Sequence, residues 1–428
     1  MRLLFIHQNF PGQFKHLAPA LVQQGHQVSA LAWGDGAPSL WEGVQVHRYR
    51  STRGSSSTVH PWLTDLETKV IRAEACLQAA RSLRDSGYTP EAIMAHPGWG
   101  ESLFIKQIWP QVPLGLYNEF HYASSGADLG FDPEFSNADP IAETCRLQLK
   151  TVNNLLQLPQ AEAGLSPTHW QASTFPEPFR SRISVIHDGI DTASLLPDPS
   201  VSLQLSKASG QALTLTRQDE VITFVNRNLE PYRGYHTFMR ALPELLQRRP
   251  HAHVLIVGGN EVSYGARPSI ERYGNRSWRD IFAQEVRPAI SDADWTRIHF
   301  LGRIPYPQFI QLLQLSTVHV YLTYPFVLSW SLLEAMSIGC AIIGSDTAPV
   351  REVIQHDHTG RLVDFFDPQA LASSISALLE DPEARERLGQ AARAHAVTHY
   401  DLHNHCLPRQ LEWVNQLAST SLITSPAA

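Results

Sequence analysis

Pro-Phe-Val-Leu-Ser-Trp-Ser-Leu-Leu-Glu-Ala-Met-Ser-Ile-Gly-Cys occupies residues 325–340. An apolar, β-branched run at 318–323 precedes it and another at 341–343 follows, so the stretch reads as a loop and a short helix between two buried strands. Ser329 or Ser331 is suited to cap that helix. Backbone N–H groups of Ser329, Trp330 and Ser331, with the positive end of the helix dipole (about half a charge), are then available to an anion. Glu334 projects one turn further in, where a carboxylate can accept hydrogen bonds from vicinal hydroxyls. Phosphate on amides beside sugar hydroxyls on a carboxylate describes a nucleotide. A capped core helix with a solvated Glu334 accounts for the same residues equally well.

Working outward, the size is that of two or three domains: 428 residues exceed one ordinary core. A hydrophobic content of 43% with 18% charged residues fits a globular enzyme, and the net charge of −7 argues against a nucleic-acid partner. The apolar runs are far shorter than a membrane span, and residues 1–6 turn polar at His7-Gln8-Asn9 before a signal-peptide core can form, so a cytoplasmic location is expected. Four scattered cysteines form neither a disulfide framework nor a zinc pattern.

Upstream of the opening stretch, a strand at 221–225 leads into a loop, Arg227-Asn-Leu-Glu-Pro-Tyr-Arg233-Gly, then a helix at 235–247 that Pro243 should kink or split. Two arginines on one strand-to-helix loop of an acidic protein suit a diphosphate, because each guanidinium is a charged planar fork of donors. A surface pair salt-bridged to Glu230 is the plainer alternative. Strands at 254–257 and 299–301 end in Gly258-Gly259 and Gly302-Arg303, where the chain can approach a ligand closely. Asp292-Ala293-Asp294 stands before a strand, at the wrong end of a sheet for ligands; it reads as a turn, and no obligatory metal is expected.

The N-terminal half opens with strand, loop, helix, strand, the start of a doubly wound α/β domain whose ligands gather at the carboxyl ends of the strands. Gly12, in His7-Gln-Asn-Phe-Pro-Gly12, either lets backbone approach a phosphate or sugar or is only a Pro-Gly turn. Strands at 92–95 and 112–117 deliver His96, Glu119 and His121 to one crevice, as sugar-binding or catalytic groups or as satisfied structural ones. Composition divides the chain into an N-terminal domain at 1–196, a Ser-, Gln- and Pro-containing link at 197–219, a second α/β domain at 220–400, and a helix at 401–420 with an apolar stripe of Leu411, Trp413, Val414 and Leu417, followed by a mobile tail.

In this order and spacing the residues resemble the bacterial family-4 glycosyltransferases, specifically a subgroup with His-Gln-Asn-Phe-Pro-Gly-Gln-Phe, Ala-His-Pro-Gly-Trp-Gly and Phe-Asp-Pro-Glu in the N-terminal half. The resemblance implies an α/β GT-B fold, two Rossmann-like domains facing a central cleft, with the C-terminal helix packing back on the N-terminal domain. It implies a retaining transfer from a nucleotide-diphosphate sugar, a GDP- or UDP-sugar, to a glycan, lipid-linked or small-molecule acceptor, with no obligatory cofactor. Envelope or exopolysaccharide synthesis is the implied setting, in the cytoplasm or at the inner membrane face with at most weak peripheral association. By the same resemblance Arg227 and Arg233 hold the diphosphate, Glu334 the ribose and Gly302-Arg303 the base, while Gly258-Gly259, at their strand end, would let the cleft floor approach the ligand. Glu119, His121 and His96 would meet the sugar or acceptor. Phe326 stands where the family has the first Glu of its Glu-x7-Glu motif, and Ser329 replaces a customary glycine. Phe326 keeps open a non-catalytic nucleotide-sugar-binding protein, and a GT-B-fold sugar-nucleotide epimerase is the other alternative.

Overall fold

The computed structural model describes residues 1–136, 139–206 and 212–423. Residues 137–138, part of the expected link (207–211) and the tail beyond 423 lie outside the described residues. The chain divides into two compact α/β units, one formed by residues 1–189 with the segment from Leu402 onward, the other by Ile190–Asp401.

Among the described residues the first unit carries an eight-stranded sheet: β1 (Arg2–Ile6), β2 (Gln27–Trp33), β3 (Ser39–Trp41), β4 (Val44–Tyr49), β5 (Ala92–Ala95), β6 (Leu114–Tyr117), β7 (Ala163–Ser166) and β8 (Ile183–Val185), in the order 3-4-2-1-5-6-7-8. All neighbours are parallel except β3 and β4. Both faces of β1 are covered, as a parallel sheet requires. Leu3 and Phe5 pack with Leu21, Trp413, Val414 and Leu417, while Leu4 and Ile6 pack on the opposite face with Cys76, Ala80 and Leu83. The helix Leu407–Ile423 therefore belongs to this unit's core. Gly115 on β6 makes room for it, since a Cβ there would stand 2.7 Å from Leu417 Cδ2.

The second unit begins with an antiparallel hairpin, β9 (Ser202–Ser206) and β10 (Ala212–Thr216), where an unstructured link was expected, and the unit boundary falls at 189/190 instead of 196/197. Leu203, Leu205, Leu213 and Leu215 turn to the core, so the hairpin is held by burial despite its polar composition. The main sheet holds β11 (Val221–Asn228), β12 (His253–Gly259), β13 (Ile298–Gly302), β14 (Val318–Tyr321), β15 (Ile342–Ser345) and β16 (Arg361–Val363). Its order is 13-12-11-14-15-16 and every pair is parallel. That is the 3-2-1-4-5-6 order of a Rossmann domain, with its switch point between β11 and β14. In the first unit the corresponding reversal lies between β1 and β5.

Pro243 does not split its helix, which runs from Tyr235 to Arg248 with Pro243 inside. Burial of Phe238, Met239, Leu242, Leu245 and Leu246 on both sides of the proline outweighs a lost backbone bond and ring clash of about 3 kcal/mol. No described helix is long and apolar enough to cross a membrane.

Candidate active site

At the β11/β14 switch point of the second unit, Arg233 lies in a 3-10 turn after the strand and is 5% exposed. Its Nη1 donates to Thr323 Oγ1 at 2.8 Å and to the Val327 carbonyl at 3.1 Å, so it ties the loop after β11 to the loop after β14. The Tyr264 ring covers the guanidinium at 4.9 Å and the Phe326 ring lies at 6.0 Å. Burial pulls the Arg233 pKa down, but Tyr321, Tyr264 and the Glu230 carboxylate outweigh it and hold the group above its ordinary value. A buried, permanently charged donor fork at a strand end is suited to phosphate.

Glu334 sits on the helix Trp330–Ile338, is 8% exposed, and takes the Tyr306 hydroxyl on Oε1 at 2.7 Å. The Tyr306 phenol is pushed above its ordinary pKa, first by burial and then by that carboxylate. A carboxylate with a hydroxyl already on it displays the kind of bond a sugar hydroxyl would make. Ser329 caps the helix, and Gly339 ends it in the left-handed region at φ 81°. The expected row of available amides is altered, however: the Ser329 N–H donates to the buried Tyr321 hydroxyl at 2.9 Å, and the Ser331 N–H to Ser329 Oγ at 3.4 Å. A buried phenol oxygen needs a partner, and Tyr321 takes the nearest amide.

Arg227 is not on the loop. It lies near the end of β11, which runs to Asn228 through a register shift after Val225, and its side chain is exposed. Glu230 pairs with neither arginine in a surface salt bridge; it is 1% exposed and accepts the backbone N–H groups of Ser263, Tyr264 and Gly265. Gly259 keeps space clear, since a Cβ there would lie 2.7 Å from Arg303 Nε, and Gly258 does the same against Leu229. Gly302 takes φ 66°, and Arg303 reaches Asn228 Oδ1 at 3.0 Å and Glu261 at 3.1 Å. Asp292 and Asp294 belong to a short helix, Asp292–Trp295, and pair with Arg287 and Arg297.

In the first unit His7, His96 and Glu119 do meet at the β1/β5 switch point. Three buried histidines repeat one device: the N–H two residues on donates to Nδ1, from Asn9 to His7, Gly98 to His96 and Gly189 to His187. Each ring is thereby set as the neutral tautomer with its proton on Nε2. His7 Nε2 then donates to Gln13 Oε1 at 2.7 Å, and Gln13 Nε2 donates to Glu119 Oε1 at 2.9 Å. His96, stacked between Trp99 and Tyr117, points Nε2 at Glu119 Oε2 from 3.6 Å, just beyond hydrogen-bond length. Burial pushes the Glu119 carboxyl up, yet His96 and Gln13 more than compensate and hold it below the ordinary carboxylate value. Burial drives the His7 imidazole down to about 3.

His121 does not join this group: its backbone N–H bonds Thr174 Oγ1 and its ring packs at 5.6 Å from Phe175. Gly12 is held directly against the His7 ring. Its φ is 48°, and a Cβ would collide with the His7 ring, so the glycine is there for the histidine.

Residues 24–195 match the glycosyl transferase family 4 group, and residues 208–395 match the glycosyl transferases group 1. The chain belongs to the family-4 glycosyltransferases. This family-4 chain is 28% identical over 217 residues to the D-inositol 3-phosphate glycosyltransferase of Corynebacterium efficiens, covering 50% of the chain and 47% of that protein. It is also 28% identical over 222 residues to the phosphatidyl-myo-inositol mannosyltransferase of Mycolicibacterium smegmatis, with 50% and 47% covered. The chain thus spans about half the length of the curated relatives it matches. In fold it is similar to sucrose-phosphate synthase from Thermosynechococcus elongatus, with a TM-score of 0.70 at 17% identity over 98% of this chain and 100% of that one. HepE from Anabaena, solved with UDP and glucose, gives a TM-score of 0.65 at 16% identity over 97% and 100%. The fold of this family-4 member is GT-B, as its sequence led us to expect.

Several residues of the two groups carry no local signature in the family-4 sequence. Glu230, Tyr264 and Tyr306 reach their partners across 33 to 35 residues, in the first two cases, and 28 in the third. Glu230, in the loop between Arg227 and Arg233, and Gln13, inside the motif that follows β1, sat within stretches already singled out, but their partners did not show there.

Proposed function

We propose that the chain transfers a glycosyl group from a nucleotide-diphosphate sugar to an acceptor hydroxyl, with retention of anomeric configuration. The observation that carries this reading is the pairing, at one Rossmann switch point, of the buried Arg233 fork with the hydroxyl-bonded Glu334 on a capped helix. Arg233 and the helix terminus stabilise the departing diphosphate by fixed electrostatics, with Arg227 as a second, exposed cation, and Glu334 takes the ribose. The phosphate leaving group accepts the acceptor's proton, so no dedicated base is required. Glu119, ionised and oriented by Gln13 and His96, is the N-terminal group best suited to a sugar or acceptor hydroxyl. HepE, solved with UDP-glucose, supports a UDP-sugar over a GDP-sugar as the first donor to try. Envelope or exopolysaccharide synthesis in the cytoplasm, with any lipid-linked acceptor presented at the inner membrane face, is the setting we assign.

The test is a thermal-shift panel of UDP-, GDP- and ADP-sugars, followed by nucleotide release with candidate acceptors. Stabilisation by one base series and acceptor-dependent nucleotide release are expected. Phe326, an apolar ring 4% exposed where the family has an acid, favours a second reading as a non-catalytic nucleotide-sugar binder. Donor stabilisation with no nucleotide release under any acceptor would select that reading.

A further inference from the structure

Residues 263–266 follow β12 and are tied at each position. Ser263, Tyr264 and Gly265 give their N–H groups to the buried Glu230 carboxylate at 3.1, 3.2 and 3.3 Å. The Ser263 hydroxyl also accepts from Asn228 Nδ2 at 2.7 Å, and the Ala266 carbonyl accepts from Trp278 Nε1 at 3.0 Å. Gly265 packs tightly: a Cβ there would lie 3.0 Å from the Tyr232 ring. Three separate elements therefore hold four consecutive residues of a surface loop. The large side chain this loop carries is Tyr264, 38% exposed, with its ring 4.9 Å from the Arg233 guanidinium and 5.0 Å from the Phe326 ring.

A cover that a ligand pushes aside does not need such anchoring; a ligand-contacting group does, because pre-organisation lowers the entropy lost on binding. We propose that Tyr264 is a donor-binding residue that presents its phenol to the diphosphate beside Arg233, and that Glu230 is the positioning residue that holds it there. The inference rests on the nucleotide-sugar reading of the site. Glu230 acts through the backbone of 263–265 and touches no substrate, so its effect must pass through Tyr264.

Calorimetric titration of the full chain with UDP, GDP, UDP-glucose and GDP-mannose tests this. Tyr264→Ala should weaken the preferred nucleotide by about tenfold, the scale of one lost stacking or hydrogen-bonding contact, and Tyr264→Phe by a few-fold. Glu230→Asp keeps the negative charge near Arg233 but withdraws the carboxylate from the three amides. It should weaken binding on the wild-type background and add nothing on the Tyr264→Ala background. Tyr264 is partly exposed, so its variants decide the first half of the proposal even where Glu230→Asp unfolds the protein. Wild-type affinity in Tyr264→Ala, or tighter binding, overturns the proposal, as does an undiminished Glu230→Asp effect in the double variant. A wild-type protein that binds none of the four ligands sinks the nucleotide-sugar reading and this one with it; binding by wild type with Tyr264→Ala unchanged sinks this one alone.

Discussion

Replacing Glu334 by Gln probes the proposed ribose contact with little structural disturbance. The side chain is 8% exposed and Oε1 holds the Tyr306 hydroxyl at 2.7 Å. A glutamine of the same shape can accept that hydroxyl through its amide oxygen, so unfolding should change by less than about 1 kcal/mol. Binding should change more. Two sugar hydroxyls on a carboxylate make charge-assisted bonds worth about 1.5–3 kcal/mol each, against about 0.5–1.5 for neutral ones. The difference, about 2 kcal/mol for the pair, weakens UDP or GDP roughly 30-fold. Titration calorimetry beside thermal unfolding measures both quantities. A dissociation constant within twofold of wild type, in a variant that melts normally, would refute the assignment of Glu334. Tyr306→Phe supplies the opposite perturbation: with its competing hydroxyl gone, nucleotide should bind more tightly, by up to about tenfold.

Arg233→Lys keeps the charge but cannot bridge Thr323 and Val327 as a fork, so UDP or GDP affinity should fall about ten- to hundredfold and stability by about 2 kcal/mol, read by calorimetry and chemical unfolding. His7 and His187 are both held near pKa 3 by burial, against 6.5 when free. The unfolded chain therefore binds more protons below 6.5, and stability present above that pH is lost as pH falls from 6.5 toward 3. With both rings contributing, the slope approaches about 2.7 kcal/mol per pH unit; a melting temperature flat from pH 6.5 to 4.5 would contradict it. Gly12→Ala combines a left-handed backbone with a collision against a ring pinned at both nitrogens, and should cost the first unit about 3 kcal/mol, seen as a lower unfolding midpoint.

Much of this molecule was legible in short stretches because the signals are local. Apolar runs with punctuating loops at 92–95, 254–257 and 318–323 marked the strands Ala92–Ala95, His253–Gly259 and Val318–Tyr321, and the serine cap and terminal glycine bracket the helix Trp330–Ile338. Other elements were missed for local reasons too. β7, Ala-Gly-Leu-Ser, lacks the β-branched residues that mark a strand, and the alternating leucines of β9 and β10 were obscured by their Ser, Gln and Thr neighbours. Pro243 does not split its helix because a helix-breaking tendency of about 3 kcal/mol is smaller than the burial on either side of it.

By itself the sequence determined the alternation of strand, loop and helix, and hence which loops lie at carboxyl strand ends: this follows from hydrophobic period and turn chemistry over a few residues. Which loops become neighbours was decided only by the strand order 13-12-11-14-15-16, which sets Arg233 against Thr323 and Val327, 90 and 94 residues away. The same holds for the Tyr321 hydroxyl that claims the Ser329 amide, the Tyr306 hydroxyl on Glu334, and the His7 ring that fills the space before Gly12. Each depends on packing between elements, whose partners no local period encodes; burial then obliges every polar atom brought inside to find whichever partner the fold has placed beside it.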